Sequence, residues 1–137
     1  MAKNILKKII FSAEAPKAVG PYSQAVAVNE HLFLSGQIGL DPVTTAIVPG
    51  GIENETEQVL KNMGAVLKAA GADYENIVKT TILLADINDF ATVNKIYEKY
   101  FPSNPPARSC YAVQALPKGA RVEIEAIAVL GKIQSSL

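Results

Sequence analysis

The residues best suited to chemistry lie close together near the end of the chain, in the segment PPARSCYAVQALPKGARVEIE. Arg108 carries a permanent charge on a planar fork that matches a carboxylate through two parallel hydrogen bonds. Glu123 and Glu125 supply carboxylates, and Cys110 supplies a thiol. The segment therefore combines an arginine suited to binding a carboxylate with two acids and a thiol.

Two strand-like runs around a turn carry these groups. Side chains alternate between the two faces of a strand, so Arg108 and Cys110 share one face of the first run. In the second run Glu123 and Glu125 share a face with apolar neighbours, and the opposite face is wholly apolar: Val122, Ile124, Ala126 and Ala128. Desolvation by those neighbours would raise the pKa of Glu123, whereas a nearby arginine would lower it, and the sequence leaves both outcomes open.

The partner of Arg108 must come from another element, because its own strand face offers no acid. One interpretation is a structural ion pair with Glu123, with Glu125 or with a neighbouring subunit. If the two runs formed a simple hairpin about residues 117–119, Arg108 would lie on the order of 17 Å from the region of Glu123, at ~3.4 Å per residue. Either the two strands are not direct neighbours, or the two side chains act together across a subunit boundary.

Composition and charge narrow the class of protein. The 137 residues fit a single domain, residues 1–137. Thirteen basic and thirteen acidic residues leave no net charge, which argues against a general attraction to nucleic acid or anionic membrane. Hydrophobic residues make up 49% of the chain, which predicts a buried subunit interface. A single cysteine cannot form a disulfide within the chain, and one cysteine with one histidine makes a zinc site improbable. The sequence shows no recognisable targeting or membrane segment, which predicts a cytoplasmic location.

Hydrophobic periodicity predicts an α+β domain with the element order β-β-β-α-β-α-β-β. Both helices should cover one face of a mixed sheet of about six strands, and the other face is too apolar to be left in water. Asn94 falls between Phe90 and Tyr97 on the apolar face of the second helix, where its amide needs a partner. The predicted strands are 7–12, 23–28, 31–35, 77–85, 107–115 and 121–130, and the predicted helices are 53–70 and 90–101.

The motifs resemble the reactive intermediate deaminase family, also called the YjgF or Rid family. The blocks that carry the resemblance occur in the family's order: GPYSQAV, SGQIGLDP, DINDFATVNKIYEKYF, PPARSCYAV and RVEIEAIAV. They cover roughly residues 10 to 130. The resemblance implies a chorismate-mutase-like subunit, a homotrimer with clefts between neighbouring subunits, and no cofactor.

The resemblance also implies an activity, the hydrolysis of reactive 2-imino or 2-enamino acids such as 2-aminoacrylate and 2-aminocrotonate to 2-oxo acids and ammonia. Removing these compounds protects pyridoxal-phosphate enzymes from damage. Arg108 would hold the substrate carboxylate, and Glu123 would guide water to the imine carbon, with Glu125 the weaker choice. Five further residues would contact the substrate: Tyr22, Ser35, Gly36, Asn94 and Cys110.

Blander interpretations stay open beside these. Cys110 is also consistent with a buried, inert thiol, and Tyr22 with a loop anchor. Family members have been described as single-stranded RNA endoribonucleases that inhibit translation, but a neutral chain whose one histidine is His31 fits that activity poorly. A third possibility is a non-catalytic trimer in which Arg108 holds a 2-oxo acid without turnover. The short connection from Pro102 to Pro106 departs from relatives and leaves the accepted substrate size open.

Overall fold

The computed structural model describes residues 2–135 and contains the predicted order of elements. No predicted bound differs from the observed one by more than three residues, and the α+β fold class is confirmed. None of the helices in residues 2–135 is both long and apolar enough to cross a membrane. The strands and helices are β1 Lys7–Ile10, β2 Ala25–Val28, β3 His31–Gln37, α1 Ile52–Ala69, β4 Ile77–Leu84, α2 Phe90–Tyr100, β5 Ala107–Ala112 and β6 Val122–Val129.

The strands form one mixed sheet in the order β1-β2-β3-β6-β4-β5. The first three make an antiparallel meander, and Asn29 turns the chain between β2 and β3 with a left-handed φ of 52°. Strands β4 and β5 are parallel and are connected through α2. Because β4 lies between β5 and β6, the two strands that carry Arg108 and Glu123 are not neighbours, which is the first of the two predicted alternatives.

Both helices cover the same face of the sheet, as predicted. That face of β6 is fully apolar and buried, from Val122 to Ala128. The periodicity of α2 predicts that four residues face inward: Phe90, Val93, Tyr97 and Tyr100. Val93 and Tyr97 are buried, but Phe90 is 38% exposed, Tyr100 is only partly buried, and Ile96 is buried as well. Phe90 packs against the Arg108 guanidinium, a charged group at the edge of the sheet, and not within the core. The periodicity of α1 predicts an apolar stripe of seven residues, and all but the last of them are buried: Thr56, Val59, Leu60, Met63, Val66, Leu67 and Ala70.

The opposite face of the sheet is apolar and uncovered in the single chain. Strand register places Ile9, Val26, Phe33 and Ile127 in one row across four strands. The exposed fractions of Ile9, Phe33 and Ile127 are 55%, 46% and 37%. A contiguous exposed apolar surface on a folded domain is typical of an interaction site. We call this surface, defined by that row, the free face.

Two buried polar side chains of α1, those of Glu55 and Asn62, form hydrogen bonds with the start of β6 and with the loop after β3. The Glu55 carboxylate is fully buried and accepts hydrogen bonds from the Arg121 backbone N–H at 2.9 Å and from its Nη1 at 2.8 Å. Asn62 donates to the carbonyls of Ile38 and Leu40 at 3.2 and 3.0 Å. Burial of such groups is tolerated only when they are paired in this way. Helix α1 therefore fixes both the loop after β3 and the start of β6.

We expect Arg121→Ala to lower the free energy of unfolding by about 3 kcal/mol, because it leaves the buried Glu55 carboxylate without its ionic partner. Lys99→Ala is the control, since it breaks the Lys99–Glu57 ion pair on the surface, where a pair contributes about 0–1 kcal/mol. Urea unfolding followed by circular dichroism at one protein concentration measures both. Equal, small changes in the two variants would contradict a stabilising role for the buried pair.

Candidate active site

The sheet separates the two main predicted site residues onto opposite faces. Arg108 pairs in register with buried Thr80, so its side chain lies on the helix-covered face. Glu123 pairs with Leu83 and follows buried Val122, so its side chain lies on the free face. Two strand spacings of about 4.8 Å and three residues of about 3.3 Å place the two Cα atoms on the order of 14 Å apart. Within one chain, Arg108 and Glu123 cannot contact the same small ligand.

Arg108 is held by three residues of α2 that lie on one face of that helix. Its Cζ lies 5.1 Å from the centroid of the Tyr97 ring and 5.5 Å from that of Phe90. Its Nη1 donates a hydrogen bond to Asn94 Oδ1 at 2.8 Å. Aromatic faces attract a guanidinium without neutralising it. The polar partner that Asn94 requires is therefore Arg108 itself.

Among residues 2–135, no carboxylate pairs with the Arg108 guanidinium. The ion pairs found in residues 2–135 are Lys99–Glu57 and Arg121–Glu55, so the structural ion pair of Arg108 with Glu123 or Glu125 is not formed in the single chain. Arg108 instead lines an open cavity of about 750 Å³. The same cavity is lined by Asn94, Tyr97, Glu98, Phe101, Pro102, Pro105 and Pro106, so the short proline-rich connection does form its rim.

Glu123 lies in a second cavity, of about 540 Å³, together with three other predicted contact residues, Tyr22, Ser35 and Gly36. Gly36 approaches the carboxylate so closely that a Cβ built on it would lie 2.5 Å from Glu123 Oε2. Real Cβ atoms do not come so near another atom, so a larger residue at this position would displace the carboxylate. The close approach of the Glu123 carboxylate therefore explains why residue 36 is a glycine.

Hydrogen bonds to backbone groups fix the other two predicted contact residues that line the Glu123 cavity. The Ser35 hydroxyl donates to the Ser23 carbonyl at 2.6 Å, and the Ser35 N–H donates to the Gln24 carbonyl at 3.0 Å. The Tyr22 hydroxyl accepts a hydrogen bond from the Val19 N–H at 3.3 Å, while half of the side chain remains exposed. Tyr22 therefore anchors its loop and lines the cavity as well.

Burial decides the direction of the Glu123 pKa that the sequence left open. Desolvation raises the pKa of Glu123 above its ordinary value, and the neighbouring Glu125 charge raises it further. Neither Arg108 nor Arg121 offsets this effect. A carboxyl group with a raised pKa is a stronger base when ionised and can also return a proton near neutral pH.

Cys110 lies on the same face as Arg108 but not beside a base. It is half-buried and packs against the hydrophobic core, and burial raises its pKa even though Arg108 lowers it. A thiol with a raised pKa is a poor nucleophile at neutral pH. His31 lies on the other face of the sheet against Phe33. Among residues 2–135, no group of three or more His, Cys, Asp or Glu side chains could hold a metal ion.

Residues missed from the sequence stand beside both predicted clusters. Phe90 and Tyr97 were assigned to the hydrophobic core, yet both stack on Arg108. The available signal is their i and i+7 spacing around Asn94, which places all three on one helix face. Lys118 also lines the Glu123 cavity, and its Nζ donates to the Thr45 carbonyl at 3.1 Å. Nothing in its sequence surroundings distinguishes this lysine from an ordinary turn residue.

Comparison with known proteins finds near-complete matches. A family model described as Endoribonuclease L-PSP matches residues 12–130. The chain is 56% identical over 133 residues to a human protein named 2-iminobutanoate/2-iminopropanoate deaminase, covering 97% of each chain.

Solved structures agree with the sequence matches. A Rid family protein of Yersinia pestis, YyfA, superposes with a TM-score of 0.87 at 50% identity, over 91% of this chain and 100% of that one. Escherichia coli TdcF, solved with bound serine, superposes with a TM-score of 0.86 at 42% identity, over 90% of this chain and 99% of that one. The mixed sheet with two helices is thus the fold of these proteins too.

We expect Glu123→Gln to raise the thermal unfolding midpoint at pH 7. Because the folded-state pKa of Glu123 is raised, the folded chain binds this proton more tightly than the unfolded chain, and stability is lost as pH rises through the folded pKa. Glutamine does not titrate, so the variant does not lose stability in this way. Its higher unfolding midpoint relative to wild type should therefore vanish below pH ~4, where Glu123 is protonated in both the folded and the unfolded wild-type chain. Differential scanning fluorimetry across pH 4 to pH 8 measures it.

Glu125→Gln is the matched variant, and it should give a smaller increase because it removes only the second of the two causes. A Glu123→Gln protein that is less stable than wild type at pH 7 would overturn this account of the carboxyl group.

Proposed function

This chain belongs to the family described as Endoribonuclease L-PSP, and on that premise we propose that it hydrolyses small 2-imino acids to 2-oxo acids and ammonia. The observation that carries the proposal is the 56% identity, over 97% of both chains, to a protein named 2-iminobutanoate/2-iminopropanoate deaminase. The resemblance noted from the sequence motifs is confirmed by this match. The protein is therefore an enzyme acting on the C–N bond of imines.

The active site forms between two copies of the chain. Arg108 and Glu123 lie on opposite faces of one sheet, so a ligand that contacts both must receive one of them from a second copy. The exposed apolar row of the free face supports such contact, because burying Phe33 and Ile127 against a partner removes apolar surface from water. A contact between two different surfaces forms a ring when its rotation closes, and the family resemblance supports a ring of three copies.

Arg108 binds the carboxylate of the substrate. Its guanidinium is oriented by two rings and one amide oxygen and is not neutralised by an acid, so its remaining N–H groups are available for an external anion. A planar fork of this kind matches a carboxylate bidentately. The bound serine of Escherichia coli TdcF is a ligand with such a carboxylate. Asn94 aligns the fork, and Cys110 lies on the same strand face two residues further along.

Glu123 activates the water. As the water oxygen bonds to the imine carbon, ionised Glu123 accepts one proton from the water and passes it to the nitrogen, which gives a carbinolamine. Glu123 then accepts the hydroxyl proton of the carbinolamine and delivers it to the nitrogen as the C–N bond breaks, so the 2-oxo acid forms and ammonia leaves. Burial and the Glu125 charge raise the pKa of Glu123 within the single chain, which suits its alternation between base and acid. Tyr22, Ser35 and Gly36 line the same cavity and contact the small substrate. No cofactor is required for this sequence of steps, and the rate gain comes mainly from positioning.

The test generates 2-aminoacrylate with a serine dehydratase and follows the decay of its absorbance and the appearance of pyruvate. Wild type should accelerate the decay, and Arg108→Ala should lower kcat/KM by about 100-fold, the order expected for the loss of a bidentate hydrogen bond to a charged group. Arg108→Lys keeps the charge without the fork and should fall between the two. Lys99→Ala, which removes a cation of α2 outside the cavity, is the control and should match wild type.

A folded, oligomeric wild-type protein that does not accelerate imine decay would contradict the proposal. Binding of pyruvate without hydrolysis would then indicate a metabolite-binding protein. Salt-sensitive binding and cleavage of single-stranded RNA would indicate the nuclease activity in the family's description.

A further inference from the structure

We infer that Tyr97 is a positioning residue for Arg108: its ring fixes the guanidinium, and a hydrogen bond between its hydroxyl and Thr80 fixes the ring. The inference rests on the proposed role of Arg108 in binding the substrate carboxylate. According to this inference Tyr97 affects substrate affinity, whereas the burial of its side chain alone would indicate only a core residue.

The contacts form a closed circuit through three elements. The Tyr97 hydroxyl lies 2.8 Å from Thr80 Oγ1, and both residues are buried, with exposed fractions of 5% and 0%. Thr80 of β4 is the register partner of Arg108 on β5. From Thr80 the circuit runs across the strand pair to Arg108, along its side chain to the Tyr97 ring, and through the hydroxyl back to Thr80. The orientation of the ring is thereby tied to the backbone position of the arginine.

Tyr97 cannot easily turn away from this position. Its ring packs against Phe101 with the centroids 4.6 Å apart and the planes 35° from each other. Loss of either hydroxyl would leave the other as a buried group without a partner, because no second hydrogen bond to either one is found in residues 2–135. An ordinary tyrosine hydroxyl is already protonated at neutral pH, with a pKa of about 10, and burial raises the pKa of Tyr97 further.

An ordered guanidinium has a direct consequence for binding. A free arginine side chain has many rotamers, and ordering it when a ligand binds costs conformational entropy. Phe90, Asn94 and Tyr97 order it beforehand, and Asn94 occupies only Nη1. Loss of the Tyr97 ring should therefore weaken carboxylate binding and raise KM, while kcat changes little because the water-activating Glu123 is not affected.

Tyr100 provides a matched control three residues further along α2. It is also partly buried, its hydroxyl donates to Glu57 Oε2 at 2.7 Å, and its ring lies 5.2 Å from that of Tyr74. It makes no ring contact with Arg108. Tyr97→Leu and Tyr100→Leu thus remove the same groups from the same helix, and only the first acts on the arginine.

The experiment measures kcat and KM in the imine assay, together with the Kd for 2-oxobutanoate by calorimetry, for the full-length chain and its variants. Tyr97→Leu should raise both KM and Kd about tenfold, the order of a desolvated cation–π contact, with kcat within about threefold of wild type. Tyr97→Phe keeps the ring and should recover most of the affinity, with a residual rise of about threefold, and Thr80→Val should behave similarly. Tyr100→Leu should leave KM and Kd unchanged.

Tyr97→Leu values equal to those of Tyr100→Leu would overturn the inference, as would a fall in kcat with KM unchanged. If Tyr97→Leu does not fold, the decision passes to Tyr97→Phe and Thr80→Val against Tyr100→Phe: unchanged KM in all three would overturn it, and a rise in the first two alone would support it. A wild type that binds 2-oxobutanoate but does not hydrolyse imines would contradict the proposed function instead, and the affinity comparison would still decide the role of Tyr97.

Discussion

One constraint places the residues of the proposed site: side chains alternate between the two faces of a sheet. Arg108 and Glu123 lie on strands separated by β4 and face opposite ways, so no rotamer change within one chain can bring them to a single three- or four-carbon ligand. A second copy that completes the site would explain both the exposed apolar row on the free face and the two open cavities. In the proposed assembly, subunit contact and catalysis depend on the same surface.

The charged groups of the chain fall into two classes, those that form an ion pair and those that do not. Glu55 and Arg121 neutralise each other where α1 meets the start of β6, and this pair stabilises the fold. Arg108 is held by rings and an amide oxygen, and Glu123 is half-buried beside a second carboxylate, so neither charge of the proposed site has an ion-pair partner among residues 2–135. Such groups destabilise a free subunit and are ready for a ligand, which is the common relation between stability and function at active sites.

Much of the fold could be predicted because it follows from local periodicity. The buried stripe of α1 and the alternation around Glu123 were correct from spacing alone. The position of β4 between β5 and β6 could not be predicted, since strand order depends on pairings distant in sequence, and the geometric argument left two alternatives. The contact of Tyr97 with Arg108 was missed because an aromatic residue on the inner face of a helix has the same pattern whether it contacts the core or an arginine from another element. The pKa of Glu123 required knowledge of its burial.

The measurement that tests the central claim most directly is complementation between two inactive variants. Arg108→Ala and Glu123→Ala are unfolded, mixed in equal amounts and refolded together, and imine hydrolysis is compared with each variant refolded alone. If each site takes its arginine from one copy and its glutamate from the next, random assembly restores about a quarter of the wild-type sites. Activity near that level is the predicted result. A correctly assembled mixture that is no more active than its parents would contradict the shared site.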